Sequence, residues 1–418
     1  MKDRRLGRME ELYANYLALL GASVKNTAPE FEMNLEGWQD LLALSNLRKT
    51  TALCGSAVAK MHEKGLVPDA IHQAWNEYCR RIFFKETIRL QEIGRLLEEA
   101  EKRGIELLFF KGYFLACLYP GFGLRNSSDT DFLVCEEQLS QAVELLEKEY
   151  EPEPEHSKEK VYVYRHKLSG NVIEMHLQLW EDYEGKKIEL LKGMGLDSKE
   201  NRVRSEVFGK TFTTIEPTRH LIYQVFHVVK HFCVEGVGIR YLLDTALFAE
   251  CHKDSIDWNL FWKSMKELGY TEFCAQFFSL GVKYFDLGQS ALPDGKLSLP
   301  QDEEAFLMDL ILAGKVSEGQ KGAFQIWGIM SPYVTGEIQA SHSKIGRAMQ
   351  TLFPSAENIR DDFAYAKKYK FLLPIAWVHR IFDYLRYRRQ HPDASYSVDE
   401  KFDAAEYRVN QLRKRGLT

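Results

Sequence analysis

No C-x-x-C pair occurs among the seven cysteines, which stand singly at Cys54, Cys79, Cys117, Cys135, Cys233, Cys251 and Cys274. Zinc knuckles and dithiol redox pairs built on that spacing are excluded, and scattered thiols in apolar surroundings read as reduced, in a cytoplasmic protein. No apolar run reaches the about 18 to 20 residues that a membrane-spanning helix needs. The opening stretch, MKDRRLGRMEELYANYLALLGA, is charged and then amphipathic, without the apolar core or small-residue cleavage site of a secretory signal. Excess positive charge is lacking as well: Lys and Arg total 55 against 60 Asp and Glu, a net charge of −5. That balance excludes coating of nucleic acid by bulk charge and leaves room only for a local basic patch. Repeats and low-complexity tracts are also missing. What is present is length, since 418 residues suffice for two or three domains with sizeable cores.

Apolar residues recur at three- and four-residue spacing from Arg8 to Arg103, which predicts packed helices. Gly104 stands where a helix C′ glycine would, and IELLFF, Ile105 to Phe110, predicts a short buried strand. Gly112 to Tyr119 reads as a helix closed by Pro120-Gly121, Phe132 to Cys135 as an apolar strand, and Gln138 to Tyr150 as an amphipathic helix. The acidic EPEPEHSKEK is a surface loop, after which VYVYRHKL and VIEMHLQLW flank Ser169-Gly170-Asn171 as an antiparallel hairpin. Beyond FTTIEPTRH the helical pattern resumes towards the C-terminus.

In NSSDTDFLV, Asp129 and Asp131 differ by two positions, so on a strand they share one face. Two such carboxylates repel one another and call for a cation, and hard oxygen ligands suit Mg²⁺ that also binds substrate phosphates. Alone, a D-x-D pair is equally a solvated strand end. Upstream, Lys111-Gly112 stands at a strand-to-helix junction, where free N–H groups favour an anion, and Arg125 follows in a loop. Glu174 alternates with Ile173 and Met175 in an apolar strand and shares its face with His176 and Gln178. Each feature has an ordinary reading: a snorkelling lysine, a loop ion pair, the wet face of a hairpin. Together they make up the parts of a phosphoryl-transfer site.

FKGYFLACLYPGFGLRNSSDTDFLV followed by VIEMHLQLW resembles the nucleotidyltransferase superfamily with the DNA polymerase β-like fold, in particular its uncharacterised bacterial branch and the related abortive-infection toxin nucleotidyltransferases. The resemblance is dense over Phe109 to Trp180 and continues loosely through HVVKH and RYLLD. It implies an α+β fold: a small mixed β-sheet catalytic domain over 86–215, flanked by a helical region over 1–85 and a helical C-terminal domain over 216–418. It implies that Asp129 and Asp131 hold Mg²⁺, or Mn²⁺, with Glu174 as the third acidic position. Gly112 with the backbone around Lys111 would form the phosphate-binding turn, and Arg125, next to Ser128, would support the triphosphate or the aspartate loop. Where relatives have Gly-Ser, this chain has Lys111-Gly112-Tyr113, so Lys111 replaces the serine contact or the donor sits differently. The implied donor is an NTP such as ATP, and the acceptor is a small molecule or sugar, or a macromolecule such as tRNA or a protein. The alternative is a non-catalytic nucleotide-binding or scaffold protein that keeps the fold.

Other charged groups read less specifically. His227 and His231 in HVVKH have the i, i+4 spacing of helical zinc sites, but Val228 stands where an H-E-x-x-H motif needs Glu. Lys230 and Arg240 are candidates to reach the nucleotide, and Arg240 with Asp244 is equally an ordinary i, i+4 ion pair. HRIFDYLRYRRQH carries Arg380, Arg386, Arg388 and Arg389 among aromatics, which is an RNA-contact face or a solvated helix face.

Overall fold

The computed structural model describes residues 2–157, 160–180, 186–234, 236–312, 363–390 and 407–417. Four helices come first: α1 (Lys2–Val24), α2 (Leu35–Leu47), α3 (Thr51–Glu63) and the long α4 (Asp69–Lys102). The buried positions of α4 include Ile71, Trp75, Ile82, Glu86, Arg89, Ile93, Leu96 and Ala100, the 3.6-residue period of a helix lying on a core. It stops at a Schellman turn: Gly104 has φ +65°, Ile105 N–H donates to Ala100 O at 2.9 Å and Gly104 N–H to Glu101 O at 3.0 Å. The expected boundary at residue 85 falls inside this helix.

Seven strands follow: β1 (Leu108–Phe109), β2 (Asp129–Leu133), β3 (Tyr150–Pro152), β4 (Val161–His166), β5 (Val172–His176), β6 (Arg202–Val207) and β7 (Lys210–Ile215). They form one mixed sheet in the order β3-β4-β5-β2-β1-β7-β6. Pairs β2/β5 and β1/β7 are parallel and the others antiparallel. One face is apolar, with Phe109, Phe132, Ile173, Met175 and Phe212 all at or below 2 % exposure, and Phe109 meets Phe212 edge to face at 4.7 Å. The expected hairpin around Ser169-Gly170-Asn171 is β4–β5, with Gly170 at φ +73°.

Three local expectations change. The helix expected after Lys111 is a 3₁₀ helix, Gly112–Leu118. The helix expected to reach Tyr150 is α5 (Leu139–Leu146), because Tyr150–Pro152 pairs with β4 as an edge strand, the position where Pro152 costs no ladder bond. The β6–β7 hairpin, closed by Phe208 and Gly209 at φ +49° and +73°, has no counterpart among the expected elements. Both positive φ values are those of a two-residue I′ turn.

Later helices are α6 (Lys186–Gly193), α7 (Pro217–Val234), α8 (Ile239–Cys251), α9 (Trp258–Leu268), α10 (Thr271–Phe285) and α11 (Glu303–Ile311), then α12 (Ala364–Lys368), α13 (Leu373–Gln390) and a helix over 407–414. The chain forms two compact units, one of Met1–Tyr183, Leu190–Val225 and Ile239–Gln301, the other of Glu184–Glu189, Phe226–Gly238 and Asp302–Thr418. The first holds the N-terminal helices, the whole sheet and α8 to α10. In the second, Arg408 makes two hydrogen bonds to Asp309, of 2.8 and 3.0 Å, and Arg415 reaches Asp302 at 2.7 Å. Among the described residues no helix is long and apolar enough to cross a membrane.

Candidate active site

The polar face of the sheet is built by register. In the parallel pair β2/β5, Asp131 lies opposite Glu174 and Leu133 opposite His176, so alternation puts Asp129, Asp131, Glu174 and His176 on one side. Thr130 and Phe132 turn to the other side and are buried. Lys111, just beyond β1, reaches into this group: its Nζ lies 2.9 Å from Asp131 Oδ1 and 3.8 Å from Glu174 Oε2. His176 Nε2 stands 3.3 Å from Asp131 Oδ1 and 3.6 Å from Glu174 Oε2.

Burial alone would raise the Asp131 carboxyl, but the Lys111 ammonium and the hydrogen bond to His176 hold it well below the usual carboxylate range. Asp129 goes the other way. Burial, then the charges of Asp131 and Glu174, push it up against the opposing pull of Lys111 and Arg125. Among the described residues Asp129 has no ion pair of its own. Burial likewise opposes the charge on Lys111, yet Asp131, Tyr223, Glu174 and Asp129 together raise it well above the ordinary lysine value.

A divalent cation fits this donor set. One ligand atom each from Asp131, Glu174 and His176 lies within 4.8 Å of the others, the one cluster of its kind among the described residues. Two carboxylates suit Mg²⁺ or Mn²⁺, and the imidazole favours Mn²⁺ over Mg²⁺. His227 and His231, whose rings meet edge to face at 4.5 Å, belong to no such cluster.

The loop leading into β2 is clamped from several sides. Arg125 donates to Asp244 through Nε and Nη2, both at 2.9 Å, and through Nη1 to Gly112 O at 2.6 Å and Ser127 Oγ at 3.0 Å. Tyr119 OH donates to the same Asp244 at 2.8 Å, so Asp244 is held by Arg125 and Tyr119. From α4, Glu86 Oε1 accepts from Ser127 N–H at 3.1 Å. Arg89 Nη2 donates to Ser127 O at 3.1 Å and to Asn171 Oδ1 at 3.3 Å, and Asn171 Nδ2 donates to Glu92 Oε2 at 2.8 Å. One buried guanidinium therefore ties the start of β2 to the start of β5, the two strands that carry the acids. Sequence reading passed over Glu86, Arg89 and Glu92, although three charged residues on the inward stripe of an amphipathic helix were a visible signal. It also saw His176 beside Glu174 without counting it as a ligand.

Gly112 has φ +60°, and a Cβ there would collide with Asp131 Oδ2 and stand 3.1 Å from Asp129 O. Only glycine lets the chain turn against that carboxylate. Ser128 Oγ accepts from Lys49 Nζ, and Arg240 Nη1 donates to Asn126 O at 2.8 Å. Burial, then the Arg240 guanidinium, lowers the Lys49 ammonium, while Asp129 pulls it back up. Lys85 is lowered by burial and by Arg89, with Asp129 again opposing. The lead-in to Asp129 is thus ringed by cations that repel one another. Lys230 falls in the second unit, where it is buried. Arg386 is exposed and Arg380 partly so, while the side chains of Arg388 and Arg389 lie outside the described residues.

A family model described as an uncharacterised nucleotidyltransferase matches residues 34–286, more than half of the chain, from α2 through the sheet to the end of α10. The chain belongs to that nucleotidyltransferase family. Among solved structures it is similar to an antigenic nucleotidyltransferase-like protein from Paracoccidioides brasiliensis, at 12% identity and a TM-score of 0.33, over 51% of this chain and 93% of that one. No curated protein sequence matches it.

Proposed function

We propose that this protein is a metal-dependent nucleotidyltransferase that moves a nucleoside monophosphate from an NTP to a hydroxyl acceptor, either a small molecule or a macromolecule such as tRNA or a protein, and releases pyrophosphate. The observation that carries this reading is the β2/β5 register, which sets Glu174 directly beside Asp131 and two residues from Asp129, in a chain of this family. Divalent ions, in the two-metal form a pair, neutralise charge on the phosphoryl oxygens and acidify the attacking hydroxyl when bound. Asp129, Asp131 and Glu174 would hold them.

In the transfer, the acceptor oxygen bonds to the α-phosphorus as the bond from that phosphorus to the bridging oxygen breaks. Pyrophosphate leaves with the electron pair, and the acceptor proton passes to Glu174, the more accessible of the carboxylates at 31 % against 2 % for Asp131. No covalent enzyme intermediate is needed. The crowded cations Lys49, Lys85 and Arg240 are relieved by a polyanion, so they would take the triphosphate.

The test is calorimetric titration of the four NTPs with Mg²⁺ or Mn²⁺ into wild type and an Asp129→Asn/Asp131→Asn double variant. Binding that needs both the metal and the aspartates is expected, and it would name the preferred base. Absence of NTP binding in wild type would overturn the reading in favour of a scaffold that keeps the fold.

A further inference from the structure

We infer that Lys111 permanently fills one of the two cation positions of this centre, so that the site takes a single divalent ion. The inference rests on the metal-dependent reading above and narrows it. Asp131 Oδ1 and Glu174 Oε2 are the facing oxygens of the two strands, and both are already bracketed: Lys111 Nζ stands 2.9 and 3.8 Å from them, and His176 Nε2 stands 3.3 and 3.6 Å away. The other oxygen of Asp131 packs beneath Gly112.

Lys111 is anchored so that it cannot easily withdraw. Its root lies two residues past Phe109, which is paired to Phe132 of β2, so the adjacent strand fixes its reach. Its ammonium lies 5.8 Å from the Phe110 ring centroid, and that ring meets His176 and Tyr223 edge to face, each at 5.2 Å. An ammonium pushed off the carboxylates would leave Asp131, whose side chain is 2 % exposed, without its nearest countercharge, which is costly for a buried carboxylate.

Charge counting agrees. Asp129, Asp131 and Glu174 carry three negative charges, and Lys111 leaves an excess equal to one divalent ion. Asp129, with no ion pair of its own among the described residues, is the carboxylate left to bind it. Lys111 acts by charge and position, through the carboxylates.

Crystals of wild type, Lys111→Met and Lys111→Arg, soaked with Mn²⁺ and an α,β-methylene NTP analogue, give the count directly as anomalous peaks bonded to Asp129, Asp131 or Glu174. One ion is expected in wild type and Lys111→Arg and two in Lys111→Met. In solution, nucleotide-free Lys111→Met should bind its first Mn²⁺ about tenfold more tightly than wild type, since a nearby like charge is gone. Two ions in wild type would overturn the inference and leave the metal-dependent reading standing. A single ion in a folded Lys111→Met would also overturn it. No ion in any of the three would overturn both. Should Lys111→Met not fold, the wild-type count decides alone.

Discussion

Buried charge is handled in opposite ways at the acid cluster of the first compact unit and at the Asp309 and Asp302 sites of the second. In the second, Asp309 and Arg408 are both 0 % exposed and joined by two hydrogen bonds. Asp302 takes Arg415 and Lys414 at 2.7 and 2.9 Å, with the Arg415 guanidinium 3.9 Å from the Phe306 ring centroid. In the acid cluster of the first unit, Asp131 and Glu174 share one ammonium and Asp129 has no ion pair among the described residues. Closed pairs hold a fold together and offer nothing to a ligand. An open excess of negative charge is a standing cost that a bound cation removes, and such imbalances collect at functional sites.

Single substitutions should separate the two regimes. Asp129→Asn is expected to lower nucleotide transfer by about a thousandfold or more, yet leave the melting temperature of the chelator-treated protein unchanged or higher, because it removes a charge with no partner. A large fall in melting temperature would mean that Asp129 is structural. Next in size, Arg408→Met should destabilise the fold by about 3–5 kcal/mol by stranding a buried carboxylate, while Mn²⁺ affinity of the folded fraction stays at the wild-type value. Denaturant titration and metal binding on the same sample check both halves.

The smallest effect is in pH dependence, and its sign differs between the units. Asp129 has its pKa raised on folding, by burial and then by Asp131, so its contribution to metal-free stability is present at low pH and lost as pH rises through the raised value. For Asp302, burial is outweighed by Arg415 and Lys414 and the pKa is lowered, so its contribution is present above the unfolded value and lost as pH falls through the lowered one. Melting curves of chelator-treated Asp129→Asn and Asp302→Asn across the acid range should therefore lose opposite slopes relative to wild type. Equal slopes would contradict the charge assignments.

The sequence carried the acids but not their surroundings. Asp129, Asp131 and Glu174 were legible because strand alternation acts over two residues, and Gly104 was legible because a helix stop is a local event. What joins β2 to β5 in parallel was not legible, since the partners are more than 40 residues apart and no turn fixes the register. The roles of Arg89 and Asp244 were hidden for the same reason: Arg89 binds residues 38 to 82 positions away, and Asp244 meets Arg125 across 119. The β6–β7 hairpin escaped because RVRSEV and KTFTTI lack a clean apolar stripe and their turn is Phe-Gly rather than Asn-Gly.

Helix α4 has a further consequence. At about 1.5 Å per residue its 34 residues form a rod about 50 Å long, seated at one end by Trp75, whose ring nitrogen donates to Thr51 O at 2.8 Å. Glu86 and Arg89 sit further along the same rod, so their azimuth is set by the residue count from that anchor. One residue inserted between Trp75 and Glu86 would turn the rest by about 100° and carry both side chains off the strands. The count of residues between Trp75 and Arg89 therefore sets where Glu86 and Arg89 meet Ser127 and Asn171 at the starts of β2 and β5.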